Sequence, residues 1–136
     1  VGLKYLLDAN VLSHPTLRSP RPATLGKIER HRDEIATSAT VLHELYFGYH
    51  RLPTSRKKAA IEAYLQQLVA AVPILPYDDR AARWHAEERA RLYQKTPPFI
   101  HGQIAAVAVV NELTLVTNNI ADFKTFRGVK LEDWLK

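Results

Sequence analysis

Cysteine is absent from this chain. Its absence excludes disulfides and any metal site built on thiolates, and it fits a cytoplasmic setting. Long hydrophobic runs are missing as well. No stretch approaches the ~18 consecutive apolar residues that a membrane-spanning helix needs, so no membrane partner is expected. The N-terminus has no basic stretch leading into an apolar segment, because the strand-like Tyr5-Leu6-Leu7 begins at once. No signal peptide is expected. Internal repeats, low-complexity tracts and linkers are lacking too, so the expectation is a single domain over residues 1–136. Metal-ligand spacing is also missing among the histidines at positions 14, 31, 43, 50 and 85.

What remains is a chain of 136 residues, 46% hydrophobic, which is enough for a real core. Its formal net charge is +5 and its sequence pI is about 9.6. That balance favours a polyanionic partner: nucleic acid or an acidic protein.

Strand-like apolar runs fall at Leu3–Leu7, Glu34–Thr37, Val72–Leu75, Leu113–Val116 and Val129–Leu131. Helical patterns lie between them. Residues 40–52 place Val41, Leu42, Leu45, Tyr46, Tyr49 and Leu52 at helical spacing, with Ser38 or Thr40 as cap and Pro53 as stop. Residues 54–71 put Ile61, Tyr64, Leu65 and Leu68 on one face. Residues 78–95 start at an Asp78 or Asp79 cap and run toward Pro97-Pro98. Residues 100–111 are apolar on nearly every side and should be buried. Leu17–Pro22, with two prolines and two arginines, reads as an exposed loop. Strands alternating with helices predict an α/β fold: a central parallel β-sheet flanked by helices on both faces.

Two of the strand-like runs stop abruptly at small polar residues. The first ends in Asp8, Asn10 and Ser13, the other in Thr117, Asn118, Asn119 and Asp122. Ligands of open α/β sheets sit beyond the carboxyl ends of the strands. Oxygen-bearing side chains there suggest a site for a hard cation and a phosphate. Each residue also has a plainer role. Asp8 can cap the following helix, and Asn118 or Asn119 the short helix 120–125. Asp122 can favour a helix dipole. Glu44 lies beside the apolar stripe of its helix, where a carboxylate costs free energy unless paired or coordinated, and Gly48 leaves room one turn further on. His101 opens the buried helix 100–111.

Taken together, four ordered segments form a recognisable pattern: Tyr5-Leu-Leu-Asp-Ala-Asn-Val-Leu-Ser13, Ala36-Thr-Ser-Ala-Thr-Val-Leu-His-Glu-Leu-Tyr-Phe-Gly48, Gln103-Ile-Ala-Ala106, and Leu115-Val-Thr-Asn-Asn-Ile-Ala-Asp-Phe123 with a closing Glu132-Asp-Trp134. The chain resembles the PIN-domain ribonucleases, and within them the VapC-type toxins of bacterial toxin–antitoxin pairs, over essentially its whole length. The resemblance implies a metal-dependent endoribonuclease using Mg²⁺ or Mn²⁺. Asp8 matches the first family acid and Glu44 the second. The third, usually an Asp, is His101 here, and the fourth, Asp or Asn in the family, is Asn119. Asp122 is a secondary candidate for the metal. Asn10, Ser13 and Thr117 would orient the ligands. The expected partners are a VapB-type antitoxin, the RNA substrate and a second copy of the chain in a homodimer. The antitoxin segment would lie in a groove near the site, and helices 40–52 and 54–71 would supply apolar surface.

His101 lowers the charge of the implied site. Four carboxylates would bring about −4, whereas Asp8 and Glu44 bring about −2. Imidazole suits Mn²⁺ or Zn²⁺ better than Mg²⁺. The departure leaves open a weakened enzyme, one shifted to Mn²⁺, and a PIN-fold module that binds RNA or a partner without cutting. A phosphate-receiver domain also gathers acids at strand ends, but this chain has no Lys near the end of its last strand in the receiver arrangement.

Overall fold

The computed structural model describes residues 2–136. The chain runs β1 (Tyr5–Leu7), α1 (Ala9–Leu12), a 3-10 turn (His14–Thr16), α2 (Pro22–Arg30), β2 (Ile35–Ser38), α3 (Ala39–His50), α4 (Arg56–Ala71) and β3 (Ile74–Leu75). It continues through α5 (Asp79–Arg91), a 3-10 turn (Tyr93–Lys95), α6 (Phe99–Val110), β4 (Thr114–Val116), α7 (Ile120–Phe123) and β5 (Lys130–Glu132).

The five strands form one sheet in the order β3-β2-β1-β4-β5, and every neighbouring pair is parallel. Register places Leu6 beside Ala36 on one side and Leu115 on the other. Connections β1→β2→β3 step outward in one direction, and β3→β4→β5 step in the opposite one. Parallel crossovers are right-handed. The reversal therefore sends α1–α4 to one face and α5–α7 to the other. It also makes the gap between β1 and β4 the point where the chain departs both ways, the usual place for a ligand in such sheets.

Burial follows sequence character. The central strands contribute Leu6, Leu7, Leu115 and Val116, all fully buried. The nearly all-apolar α6 buries Ile104 to Val107 and Ala108 against them. The edge strand β5 keeps Lys130 and Glu132 exposed, charges that discourage pairing with another sheet. Asp78, Ser55 and Ser38 cap α5, α4 and α3 by accepting hydrogen bonds from Ala81, Lys58 and Val41 backbone N–H groups. Among the described residues no helix is long and apolar enough to cross a membrane.

Three expectations shift in detail. Helix α2 begins at Pro22, the last residue of the expected loop, with proline in the first helical turn where its missing N–H costs nothing. The helix expected over 78–95 ends at Arg91, and a separate 3-10 turn follows before Pro97-Pro98. The strand expected over Val72–Leu75 shrinks to Ile74–Leu75, because Val72 caps α4 and Pro73 has no N–H to give a ladder.

Candidate functional site

Asp8 is the first residue beyond central strand β1 and is 7% exposed. It does both jobs open to it. Oδ1 accepts the Ala9 backbone N–H at 2.8 Å and so caps α1. Oδ2 accepts the hydroxyl of Thr117, the residue after β4, also at 2.8 Å. Thr117 is fully buried, and its oxygen accepts the Asn119 backbone N–H at 3.0 Å. One threonine thus ties the ends of β1 and β4 together and holds the loop carrying Asn119. Nearby, the Asn10 amide donates to Asn118 Oδ1 at 3.0 Å, a second bridge between the same loops.

Beyond these strand ends lies a cavity of about 270 Å³ lined by Asp8, Asn10, Glu44, His101, Asn119 and Phe123, among others. The four residues that the sequence pattern singles out come from the ends of β1 and β4 and from α3 and α6, and they share this wall. Glu44 gets there because α3, which follows β2 directly, packs against both α1 and α6. His101 lies in the first turn of α6, its ring 5.2 Å from that of Phe123, with a buried Nδ1 that has no hydrogen-bond partner.

Two expected members lie elsewhere. Asp122 is exposed and does not line the cavity, because α7 turns Phe123 inward and its neighbour outward. Ser13 lines a second, more apolar groove of about 250 Å³ between α3 and α4, together with Leu45, Gly48, Tyr49, Ile61 and Tyr64. Asn10 and Glu44 border both spaces. Phe123, Ile100 and Ile104 form the apolar part of the cavity wall and were not singled out from the sequence. Their signal was present: Ile100 and Ile104 flank His101 at helical spacing, and Phe123 closes the Asn-Asn-Ile-Ala-Asp-Phe run.

Among the described residues no three His, Cys, Asp or Glu side chains gather closely enough to cage a metal ion. Two carboxylates beside an open polar space are nonetheless what a hydrated Mg²⁺ takes. It binds through one or two carboxylates, keeps several waters and completes its shell with substrate phosphate. The donor set therefore fits a cation of this kind and does not fit a fully protein-enclosed one.

A family model described as "PIN domain" matches residues 5–128. The chain is 30% identical to "tRNA(fMet)-specific endonuclease VapC" of Salmonella typhimurium over 135 residues, covering 97% of this chain and 98% of that protein. It is 31% identical to "Ribonuclease VapC2" of Rickettsia felis over 141 residues, covering 97% and 98%. The fold superposes on the crystal structure of VapBC2 from Rickettsia felis bound to a DNA fragment from its promoter, with a TM-score of 0.82, 27% identity, and 97% and 99% of the two chains covered.

Proposed function

The chain belongs to the PIN-domain family, and from that premise we propose that it is the toxin of a type II toxin–antitoxin pair, a divalent-metal-dependent endoribonuclease that hydrolyses RNA phosphodiester bonds in the cytoplasm. The observation that carries this reading is the single cavity lined by two acids, Asp8 and Glu44, from elements far apart in sequence. The relatives are named as nucleases, which favours cutting over a module that only binds. The solved VapBC complexes support a VapB-type antitoxin as partner, and family habit supports a homodimer.

Asp8 and Glu44 would hold Mg²⁺ or Mn²⁺. When bound, such a cation supplies Lewis acidity that offsets charge developing on the phosphate. Thr117 fixes Asp8: its hydroxyl proton is committed to Oδ2, so the carboxylate keeps one orientation. The Asn119 carboxamide, on a loop pinned by Thr117, offers a neutral oxygen to a ligand or an N–H to the phosphate. Asn10, cross-linked to Asn118, keeps the β1 and β4 loops from spreading. His101 stands in the place of the third family acid. Its nitrogen favours Mn²⁺ over Mg²⁺. The net charge of +5 favours the RNA backbone as a partner.

The test is cleavage of single-stranded RNA and of tRNA by the purified chain, in Mg²⁺ and in Mn²⁺, beside Asp8→Asn and Glu44→Gln. Metal-dependent cutting that both substitutions abolish is expected. Cutting that survives either one, or proceeds in chelator, overturns the assignment.

A further inference from the structure

Phe99 is 49% exposed. A single apolar ring at a surface carries no meaning by itself, but this one stands on a built support. The ring of His85 packs against it at a tilt of 57°, 4.7 Å away between centroids. His85 is 2% exposed, its Nδ1 is hydrogen-bonded to the Tyr77 hydroxyl at 2.8 Å, and its Nε2 side abuts Gly102. The guanidinium of Arg89, from the last turn of the same helix α5, lies 5.0 Å from the Phe99 ring centroid. Tyr77, His85, Phe99 and Arg89 thus form a chain of contacts, from a half-buried phenol through a buried imidazole to an exposed cation.

Its position gives the cluster a use. Phe99 is the first residue of α6, directly before Ile100 and His101, and both of those line the acid cavity. Pro97 and Pro98 precede it, and their fixed φ stiffens the backbone that leads into the helix. A rigid aromatic with a stacked guanidinium is what unpaired nucleobases settle on, because every base has a π-face and the cation also attracts phosphate.

We propose that Phe99 and Arg89 form a stacking platform for one unpaired base of the RNA, adjacent to the nucleotide whose phosphate enters the cavity. The proposal rests on the ribonuclease reading and adds to it a base-binding contact outside the cavity, which an unpaired base can reach because it is free to leave its neighbours. Duplex RNA, with its bases engaged, gains nothing from the platform.

The experiment is fluorescence anisotropy of a labelled single-stranded RNA titrated with the full chain in chelator, so that binding is read without cutting. Phe99→Ala should weaken binding on the order of tenfold, the range of one base–aromatic stack. Phe99→Trp should restore it. Phe99→Leu keeps apolar bulk but no π-face and should stay weak. Arg89→Gln should weaken binding and flatten its salt dependence. An aminopurine base in the RNA should be quenched by the native chain and by Phe99→Trp, and not by Phe99→Leu. Native-like binding by Phe99→Leu overturns the proposal in favour of plain apolar packing. Unchanged binding by Phe99→Ala overturns it outright. A shift in oligomeric state that accompanies the loss assigns Phe99 to a contact between copies and overturns it too. If the native chain itself binds no single-stranded RNA, the ribonuclease reading fails first and the platform falls with it, a result distinct from native binding that ignores Phe99.

Discussion

Asp8 shows how one residue can serve fold and chemistry together. Its two carboxylate oxygens are divided, one toward the start of α1 and one toward Thr117. An aspartate with no hydroxyl beside it would be free to rotate away from the cavity. Thr117→Val keeps the shape of the side chain and removes its hydroxyl. Oδ2 of the buried Asp8 and the Asn119 N–H both lose a partner, so the variant should be less stable by roughly 1–3 kcal/mol. Denaturant melting measures that loss, and cleavage should fall with it. His101 invites the opposite experiment. His101→Asp returns a negative charge and an oxygen donor to the cavity wall and relieves the unpartnered buried Nδ1. Mg²⁺-supported cleavage should rise, by roughly tenfold or more if an added charged ligand contributes about 1.4 kcal/mol or more at the transition state. Adding Asp8→Asn to that variant should abolish cutting again, while binding to RNA largely survives. No gain from His101→Asp would show that His101 is not the weak point of the site.

At the scale of elements, the pairing of α5 with α6 controls where the His101 end of the site sits. A Cβ on Gly102 would lie 2.0 Å from Nε2 of His85 and 2.9 Å from its Cε1. His85 cannot retreat freely, because Tyr77 holds its other side. Gly102→Ala should therefore push α6 off α5 or expel the imidazole. The cost expected for such overpacking is about 1–3 kcal/mol, readable as a lowered thermal midpoint, with reduced cleavage because Ile100 and His101 move with the helix. Trimming His85 to Ala in the same chain should recover much of the loss. This contact also marks the limit of what sequence could tell. The alternation of strands and helices, the buried character of α6, and the polar ends of β1 and β4 were all legible, since each depends on local periodicity or on an abrupt change of residue type. The convergence of Asp8 with Asn119 followed from topology alone. The Gly102–His85 contact, the outward turn of Asp122 and the diversion of Ser13 into the α3–α4 groove depend on how helices settle against one another, which spacing does not encode. Helix α2 was missed for another reason. It is short, only Thr24 in it is fully buried, and its start coincides with a proline that reads equally well as loop.

Across the whole molecule, two buried titratable groups on α5 contribute to the response to acid. Burial lowers the pKa of His85, with the nearby Arg89 charge adding to the effect. The groups packed around it are the Tyr77 phenol, the Phe99 ring and Gly102, and none supplies a negative charge to hold a proton. Glu88 is 5% exposed and its pKa is lowered, first by the Arg91 guanidinium hydrogen-bonded to both its oxygens and then by the Arg127 backbone N–H. Through Glu88 and Arg91, whose guanidinium also reaches the Thr125 carbonyl, α5 clasps the segment between α7 and β5. The signs agree. For His85 the folded value lies below the unfolded one, so the unfolded chain takes up protons first. Stability then falls once the pH drops below about 6.5, and stops falling below the depressed folded value. For Glu88 the folded value again lies below the unfolded one. Its contribution is complete above about 4.5, the unfolded value, and is lost as the pH falls through the folded value. Thermal midpoints should therefore hold level above neutrality, decline in a first step below about 6.5, and decline again in the acid range below about 4.5. His85→Gln, which keeps a polar partner for Tyr77 and cannot charge, should remove the first step and leave the second. Glu88→Gln should shrink the second, which Glu34 and Asp78 share because their pKa values are lowered too, and should lower the midpoint at neutral pH because Arg91 loses its anion. A first step that persists in His85→Gln would assign it to another histidine and refute this account of the α5 core.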